Sequence, residues 1–297
     1  MVTPHAETRS SSASGFLYVC AFAVMVLLAV IFSEAARNLH WNVSRSNSYY
    51  SHSYLVPLVS LFLAWRKREQ LTTLSRSPSN WGFALLVLSC SVVLLSDLLG
   101  FRILAQLAVI PMLVGFVLTF FGWRFVQQLW FSFTFLLFMI PLPQSMTTSL
   151  TFRLKLMAAD GAVWLCNAFY LPILRDGSYI HVLDDRLLVG DVCGGMRSLI
   201  ALLALGALIS YLSETRPWAS GLIFLFSPLI AVLANLVRIA FLCVVSYFWG
   251  SDMASGWVHD LSGVLIYLVA IALLLGLDGL LRKVAPAENG QLSGTAS

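Results

Sequence analysis

A succession of apolar runs, most of them close to the roughly 20 residues that a helix needs to cross a bilayer, constrains this fold more than any other feature. Hydrophobic residues make up 59% of the 297-residue chain and charged residues only 11%, against about 25% charged residues in a soluble domain. A soluble fold could not bury this much apolar surface, because exposed area falls too slowly with chain length. The sequence therefore predicts an all-α polytopic membrane protein.

About eight runs are expected to cross the membrane. The run 16–32 could be taken for a signal peptide, but its apolar part is longer than the usual roughly 7–15 residues and further spans follow it. The run 218–249 is too long for one ordinary span, and Asn235 and Arg238 interrupt it. The other six runs are 53–65, 81–99, 103–121, 125–140, 194–212 and 261–281.

Lysine and arginine set the orientation, since the cytoplasmic loops of membrane proteins carry an excess of both. The cluster Arg66-Lys67-Arg68, then Arg124, Arg216 and the pair Arg282-Lys283 all fit the cytoplasmic side in one consistent topology. Both termini are then cytoplasmic, and the segment 149–191 is extracytoplasmic.

Domain organisation is simple, because the chain shows no internal repeat and no linker. Residues 1–15 are Ser-rich and polar, which predicts a disordered cytoplasmic N-terminus. Residues 16–283 are expected to form a single transmembrane domain, followed by a flexible cytoplasmic tail over 284–297.

A short extracytoplasmic segment, 149–191, differs from the other runs. Arg153, Lys155 and Asp160 lie within 149–170, and a full crossing there would bury charge at considerable cost. We therefore expect an amphipathic helix at the outer interface. Alternating β-branched residues in 178–182 and 186–189 then predict a small hairpin.

The topology brings three polar residues to the same depth. Cys193 begins a run that descends from the outer face, and His259 directly precedes another. Arg238 lies about 20 residues after Trp218, where a helix that rises from the cytoplasm reaches the outer face. If these helices are neighbours, the three side chains form one site near the outer membrane surface.

These residue types suit nucleophilic catalysis by a thiol. Cys193 lies at a helix N-terminus, where the macrodipole favours the reactive thiolate. His259 can take the thiol proton and return it to a leaving amine, and Arg238 can donate hydrogen bonds to an oxyanion. Gly194 and Gly195 would let a substrate backbone approach closely.

Each of these residues also has a purely structural explanation. Cys193 could be a packing residue, and His259 could simply lie at the membrane interface. A buried Arg238 needs a polar partner or cavity, for which Asp260 is one candidate. Asn235 lies one helical turn before Arg238 on the same face and could serve only to satisfy it. Arg197 either reaches the lipid headgroups or holds a substrate carboxylate.

Together, three strings resemble the motifs of the exosortase/archaeosortase family: Asp191-Val192-Cys193-Gly194-Gly195-Met196-Arg197-Ser198-Leu199, Asn235-Leu236-Val237-Arg238-Ile239, and His259-Asp260 with Gly263. Their order and spacing agree with the family, and the segments 141–143 and 51–65 are also similar to it. The resemblance implies a membrane cysteine transpeptidase or protease that cleaves C-terminal sorting signals near the outer membrane face. Such a signal comprises a short motif such as Pro-Glu-Pro, a transmembrane helix and a basic cluster.

The resemblance also assigns roles: Cys193 as nucleophile, Arg238 as stabiliser of the thiolate or transition state, and His259 as proton shuttle. Many bacterial members have serine after the cysteine, whereas this chain has Gly194-Gly195, which leaves the subfamily and its signal open. The expected partners are exported proteins with such a signal, membrane lipid and components of an exopolysaccharide system, with no nucleic acid. No metal or organic cofactor is expected, and the expected location is the plasma membrane.

Two non-catalytic alternatives stay open. A transporter would explain the hydrophobicity and a buried Arg238, but it would place its polar residues near the bilayer midplane. An assembly subunit of an envelope polysaccharide export system would tolerate the replacement of Cys193 by alanine. A serine intramembrane protease is disfavoured, because the chain has no Gly-x-Ser-Gly element with a paired helix histidine.

Overall fold

The computed structural model describes residues 33, 37, 49–183, 185–190 and 195–286. Helices dominate, and three short strands form one sheet. The helices are α1 (Leu55–Arg66), α2 (Arg68–Thr73), α3 (Asn80–Leu99), α4 (Arg102–Leu107), α5 (Val109–Phe120), α6 (Trp123–Phe135), α7 (Gln144–Ala168), α8 (Met196–Leu212), α9 (Pro217–Trp249), α10 (Ser251–Ser255) and α11 (Trp257–Val284). The strands are β1 (Ile173–Asp176), β2 (Tyr179–Val182) and β3 (Asp185–Leu188), and 3-10 turns cover Ser51–Tyr54 and Leu136–Met139.

Three helical stretches in the described chain are long and apolar enough to cross a membrane: Ile103–Phe120, α9 and α11. The pair Trp123–Met139 and Gln144–Ala168 passes the same test only when it is counted as one span. The protein is therefore a helical membrane protein. The count of eight crossings stays a prediction, and the run 16–32 lies outside the described residues.

The chain divides into two compact units, and residues 53–141 make up most of the described part of the first. Here α3 packs closely on α5, because an added Cβ on Gly82 would lie only 2.4 Å from the backbone nitrogen of Thr119. Ser60 on α1 donates a buried hydrogen bond of 2.6 Å to the carbonyl of Ser132 on α6. The single domain predicted over 16–283 stays a prediction.

The second unit holds residues 49–52 and 142–286 in its described part, and α9 is its central element. This helix has 33 residues and packs against α7, α8, α10 and α11. It continues through Pro228, Asn235 and Arg238 without a break. The two polar residues interrupt the apolar run of the sequence but not the helix.

Helix α7 packs against α9, and the interfacial position expected for 149–170 stays a prediction. Gly161 lies against Leu236, and the thiol of Cys166 lies 3.7 Å from the carbonyl of Ala240. A face of small residues makes this close approach possible, namely Ala158, Ala159 and Ala162, all at most 2% exposed.

The predicted hairpin is part of a three-stranded antiparallel sheet with the order β1-β2-β3. Ile173 pairs with Val182, and Tyr179 pairs with Leu188. The sequence did not indicate β1, which supplies the fully buried Ile173 to a core that also contains residues of α7 and α9. The sheet is thereby fixed to the C-terminal half of α9.

A hydrogen-bonded network joins α8 and α11 at the end of each helix that is remote from the motif residues. Ser213 donates to one oxygen of Asp278 at 2.5 Å, and Arg282 donates to the other at 2.8 Å. Thr215 continues the network to Ser220 on α9 at 2.8 Å. Since Asp278 is only 6% exposed, these bonds satisfy a buried carboxylate and fix three helices together.

Candidate active site

Arg238 on α9 and His259 in the first turn of α11 are direct neighbours. Nη2 of Arg238 lies 3.2 Å from Nε2 of His259 and donates to the backbone carbonyl of the same residue, also at 3.2 Å. Nε of Arg238 donates to Oγ of Ser262 at 3.3 Å, and that hydroxyl in turn donates to the His259 carbonyl at 2.8 Å. One turn of α11 therefore holds the guanidinium at three points.

These contacts define the proton position on His259. Arginine can only donate, so Nε2 of the ring must accept from Arg238, and the ring proton then lies on Nδ1. Nδ1 faces Oδ1 of Asp260 at 3.1 Å, which stabilises this tautomer. In this tautomer Nε2 is the ring nitrogen that can take up a proton, which is what a general base requires.

Asp260 has a different partner from the one that the sequence suggested. In the described chain it pairs with His259, while Arg238 bonds to Ser262 and His259, so the candidate pair of Arg238 with Asp260 is not formed. The Asp260 side chain is 89% exposed. It follows the histidine directly at the start of α11 and therefore reaches the opposite edge of the imidazole.

The motif that contains Cys193 reaches this cluster through Gly195. Cys193 and Gly194 lie outside the described residues. Gly195 has a φ of +74°, and an added Cβ would lie 2.7 Å from Nδ2 of Asn235. Asn235 is 5% exposed, so its side chain packs directly on the backbone of Gly195. The carbonyl of Gly195 accepts from the amide of Leu199 at 2.8 Å and so begins α8.

All three motifs line one small cavity of about 40 Å³. Ser198 comes from the cysteine motif, Asn235 and Arg238 from the arginine motif, and Gly263 from the histidine motif. Gly263 lies close to the guanidinium there, because a Cβ would lie 3.2 Å from Nη2 of Arg238. We call this arrangement the motif cluster.

Arg238 brings a fixed positive charge into the motif cluster. No carboxylate contacts Arg238 within the described part of the chain. The N-termini of α8 and α11, which carry partial positive charge, both lie in the cluster, at Gly195 and His259. Such a site favours an anion, either a thiolate or the oxyanion of a tetrahedral intermediate.

Two supporting residues complete the comparison with the sequence. Arg197 lies half-buried in the first turn of α8, and its proposed contact with a substrate carboxylate stays a prediction. Ser262 was missed, because a lone serine in an apolar run gives no signal of its own. Its position three residues after His259, on the same helical face, could have indicated it.

Two further segments of the resemblance meet in the second unit. The hydroxyl of Tyr50 accepts from the backbone amide of Leu142 at 2.9 Å. The His52 ring stacks on Tyr50 with the centroids 6.1 Å apart. Within the described structure neither ring nitrogen of His52 has a hydrogen-bond partner. Burial lowers the pKa of His52 below its usual 6.5.

Comparison with known proteins identifies the family. Residues 40–276 match the family model described as transmembrane exosortase (Exosortase_EpsH). This range includes the motif cluster, Cys193 and most of the chain. No curated protein and no solved structure gave a match. The chain belongs to the transmembrane exosortase family.

Proposed function

We propose that this protein is a membrane-embedded cysteine transpeptidase or protease that cleaves C-terminal sorting signals from exported proteins. The observation that carries the proposal is the contact between Arg238 and the basic nitrogen of His259, beside a chain segment that starts two residues after Cys193. Gly195, which begins that segment, packs against Asn235 of the motif cluster, and this supports a role for the cysteine motif in the same site. A thiol, a base and an oxyanion donor are the groups that acyl transfer needs.

In the first half-reaction, Nε2 of His259 takes the proton from Cys193, and the thiolate attacks the scissile carbonyl. A C–S bond forms while the carbonyl π electrons move to oxygen. Nε2 has a single lone pair, so its hydrogen bond from Arg238 breaks as the thiol proton arrives, and the protonated nitrogen can no longer accept from Arg238. Proton transfer thereby frees an Arg238 N–H for the oxyanion at the moment when it forms.

Collapse of the tetrahedral intermediate breaks the C–N bond, and Nε2–H of His259 protonates the leaving amine. The C-terminal part of the substrate departs, and a thioester stays on Cys193. An amine or a water molecule then attacks the thioester and gives its proton to His259. The thiolate leaves and is reprotonated, which restores the enzyme and yields either a transferred or a hydrolysed product.

An active site on the extracytoplasmic face of the plasma membrane is part of the proposal. At a rise of 1.5 Å per residue, about 27–32 Å separate Ser213 from Gly195, Pro217 from Arg238, and Asp278 from His259. This distance equals the roughly 30 Å thickness of the hydrocarbon core. It supports a motif cluster at one membrane face and the Asp278 network at the other, where Arg282-Lys283 favours the cytoplasm.

The test is co-expression with a reporter that carries a C-terminal signal of the Pro-Glu-Pro type, at equal membrane abundance of each variant. Wild type should shorten the reporter, and Cys193→Ala should leave it intact. Cys90→Ala, a half-buried free thiol on α3, is the matched control and should retain activity. Processing by Cys193→Ala would refute the nucleophile. Absence of processing by wild type, across several signals, would favour a transporter or an assembly subunit.

A further inference from the structure

A second, larger cavity of about 200 Å³ lies beside His259. One wall is the end of β3 and the residues that follow it, 187–190. The other wall comes from α9, through Ile239 and Leu242, and from α10, through Ala254 and Ser255. The base of the proposed reaction therefore borders a space that is otherwise built by the sheet and two helices.

The buried residues that line this 200 Å³ cavity are apolar. Ile239, Leu242 and Ala254 are 1%, 2% and 0% exposed, and Val189 is 2% exposed. Leu188, which is 54% exposed, lies at the open side. Among its described lining residues, His259 alone is titratable. An apolar group would be accepted here, while a charged group would lose its hydration without a partner.

The volume indicates the size of the occupant. Pockets for complete small molecules usually measure about 300–1,000 Å³, so this cavity is too small for an organic cofactor. An apolar cavity of about 150 Å³ can hold a benzene molecule. The 200 Å³ cavity thus has room for one branched aliphatic, prolyl or aromatic side chain.

The strand beside the cavity suits an extended peptide. Within the described residues β3 pairs with β2 only, and α10 contacts β3 near its start, where the amide of Ser251 donates to Asp185 at 3.0 Å. Val189 extends the pairing, as its amide donates to the carbonyl of Ser178 at 3.0 Å. Backbone groups alternate in direction along an antiparallel strand, so the amide of Leu188 points away from β2, while its carbonyl accepts from the amide of Gly190 at 3.0 Å. Extended peptides bind sheet edges and place alternate side chains in pockets.

We infer that the 200 Å³ cavity binds the side chain of a substrate residue next to the scissile bond, with the peptide extended along β3, and that Leu242 and Ala254 set the accepted size. This inference rests on the proposed function, because it takes His259 as the base at the scissile bond. It adds a preference for an uncharged apolar residue at that position of the sorting signal.

The experiment measures relative processing of reporters whose residues on either side of the scissile bond are Ala, Leu, Trp or Asp. Wild type should prefer the apolar residues at one of the two positions and reject Asp there. Ala254→Val narrows the cavity. It should lower the processing rate of the Trp reporter relative to the Ala reporter by about tenfold or more, since one methylene in an apolar pocket is worth about 10–200-fold. Leu242→Ala widens the cavity and should raise the processing rate of the Trp reporter relative to the Ala reporter.

Ratios between reporters separate this inference from other failures, because a poorly folded variant lowers all reporters equally. Ala240→Val and Val245→Ala change buried residues of α9 outside the cavity lining and should leave the ratios unchanged. Unaltered ratios in both cavity variants would overturn the inference while the proposed function stands. No processing of any reporter by wild type would refute the proposed function itself, and the inference with it.

Discussion

Replacement of Gly263 by alanine should slow the processing of the sorting reporter without lowering the stability of the protein. Gly263 lies in the interior of α11, where alanine is favoured over glycine by about 0.5–1 kcal/mol, since glycine loses more backbone entropy on folding. The new Cβ would lie 3.2 Å from Nη2 and 3.4 Å from Cζ of Arg238, so the guanidinium must shift by a few tenths of an ångström.

The size of the effect follows from how Arg238 is held. Its contacts with Ser262 and His259 measure 3.2–3.3 Å, already at the long end of the usual range for N–H donors, so a small shift weakens them further. A misplacement of about 1 Å can cost roughly 100-fold in rate. For a few tenths of an ångström we expect processing to slow by about tenfold, which corresponds to about 1.4 kcal/mol.

Gly276→Ala provides the matched control, because it lies on the same helix and an added Cβ there meets nothing within 4 Å. Both variants should melt at the wild-type temperature or up to about 4 °C higher. Only Gly263→Ala should process the sorting reporter slowly. The measurements are the rate of reporter shortening at equal membrane abundance and the melting temperature of the purified protein in detergent.

Equal processing by the two variants would refute the reasoning, because it would show that the position of Arg238 does not limit the reaction. A melting temperature several degrees below wild type for Gly263→Ala alone would also contradict it. In that case the added methyl group would disturb helix packing rather than the guanidinium.

Three further changes test other contacts. Ser262→Ala removes an acceptor from Arg238 and should slow processing by about tenfold or more, since a hydrogen bond to a charged group is worth about 1.5–3 kcal/mol. Asp278→Ala leaves Arg282 without its carboxylate and should lower the melting temperature in detergent, at a cost of about 1–3 kcal/mol. The pKa of His52 is lowered in the folded protein, so the imidazole binds a proton more tightly in the unfolded chain than in the folded one. The free energy of unfolding is therefore unaffected by His52 above pH 6.5 and falls as the pH drops below 6.5, by at most about 1.4 kcal/mol per pH unit. His52→Phe should remove this loss.

Each of these expectations has a result that would contradict it. Ser227→Ala removes a fully buried serine that donates to Phe224 within α9, and equal slowing by both serine changes would exclude a specific effect on Arg238. Removal of the exposed Glu214 is the control for the Asp278 network, and an equal melting temperature would show the network to be unimportant. An unchanged acid slope in His52→Phe would assign that slope to other groups.

Helix ends were predictable where local chemistry determines them. The run 81–99 became α3 (Asn80–Leu99), which stops at Gly100 with a φ of +71°. The run 218–249 became α9, which begins at Pro217 and stops at Gly250 with a φ of +89°. Proline fits the first turn of a helix and glycine accepts a positive φ after its last, so these boundaries need no tertiary information.

The placement of α7 needed information from elsewhere in the chain. Its charged residues suggest an interfacial helix, which stays a prediction, and one of them, Asp160, forms an ion pair of 2.5 Å with Arg175 of β1. Its small residues fit against α9, more than 70 positions later. Helical periodicity describes one helix at a time, so neither the ion pair nor the packed face was visible in the sequence.

In the motif cluster, the sequence placed Arg238 and His259 at the same depth but not their hydrogen-bond partners. Depth follows from the number of residues counted along each helix. Partners depend on how α9 and α11 are rotated about their axes, which topology leaves open. This explains why Asp260 was a candidate partner of Arg238 and why Ser262 was overlooked.

Because Arg238 bonds to the backbone carbonyl of His259, the His259 side chain can be removed without releasing Arg238. If the imidazole is deleted, the carbonyl and Ser262 stay in place, so the guanidinium keeps two of its three anchors. The vacated space then adjoins an arginine that is still positioned, and imidazole added to the medium could serve as the missing base. Chemical rescue is thus open to a His259→Ala enzyme, whereas an Arg238→Ala enzyme loses a side chain that no backbone group can replace.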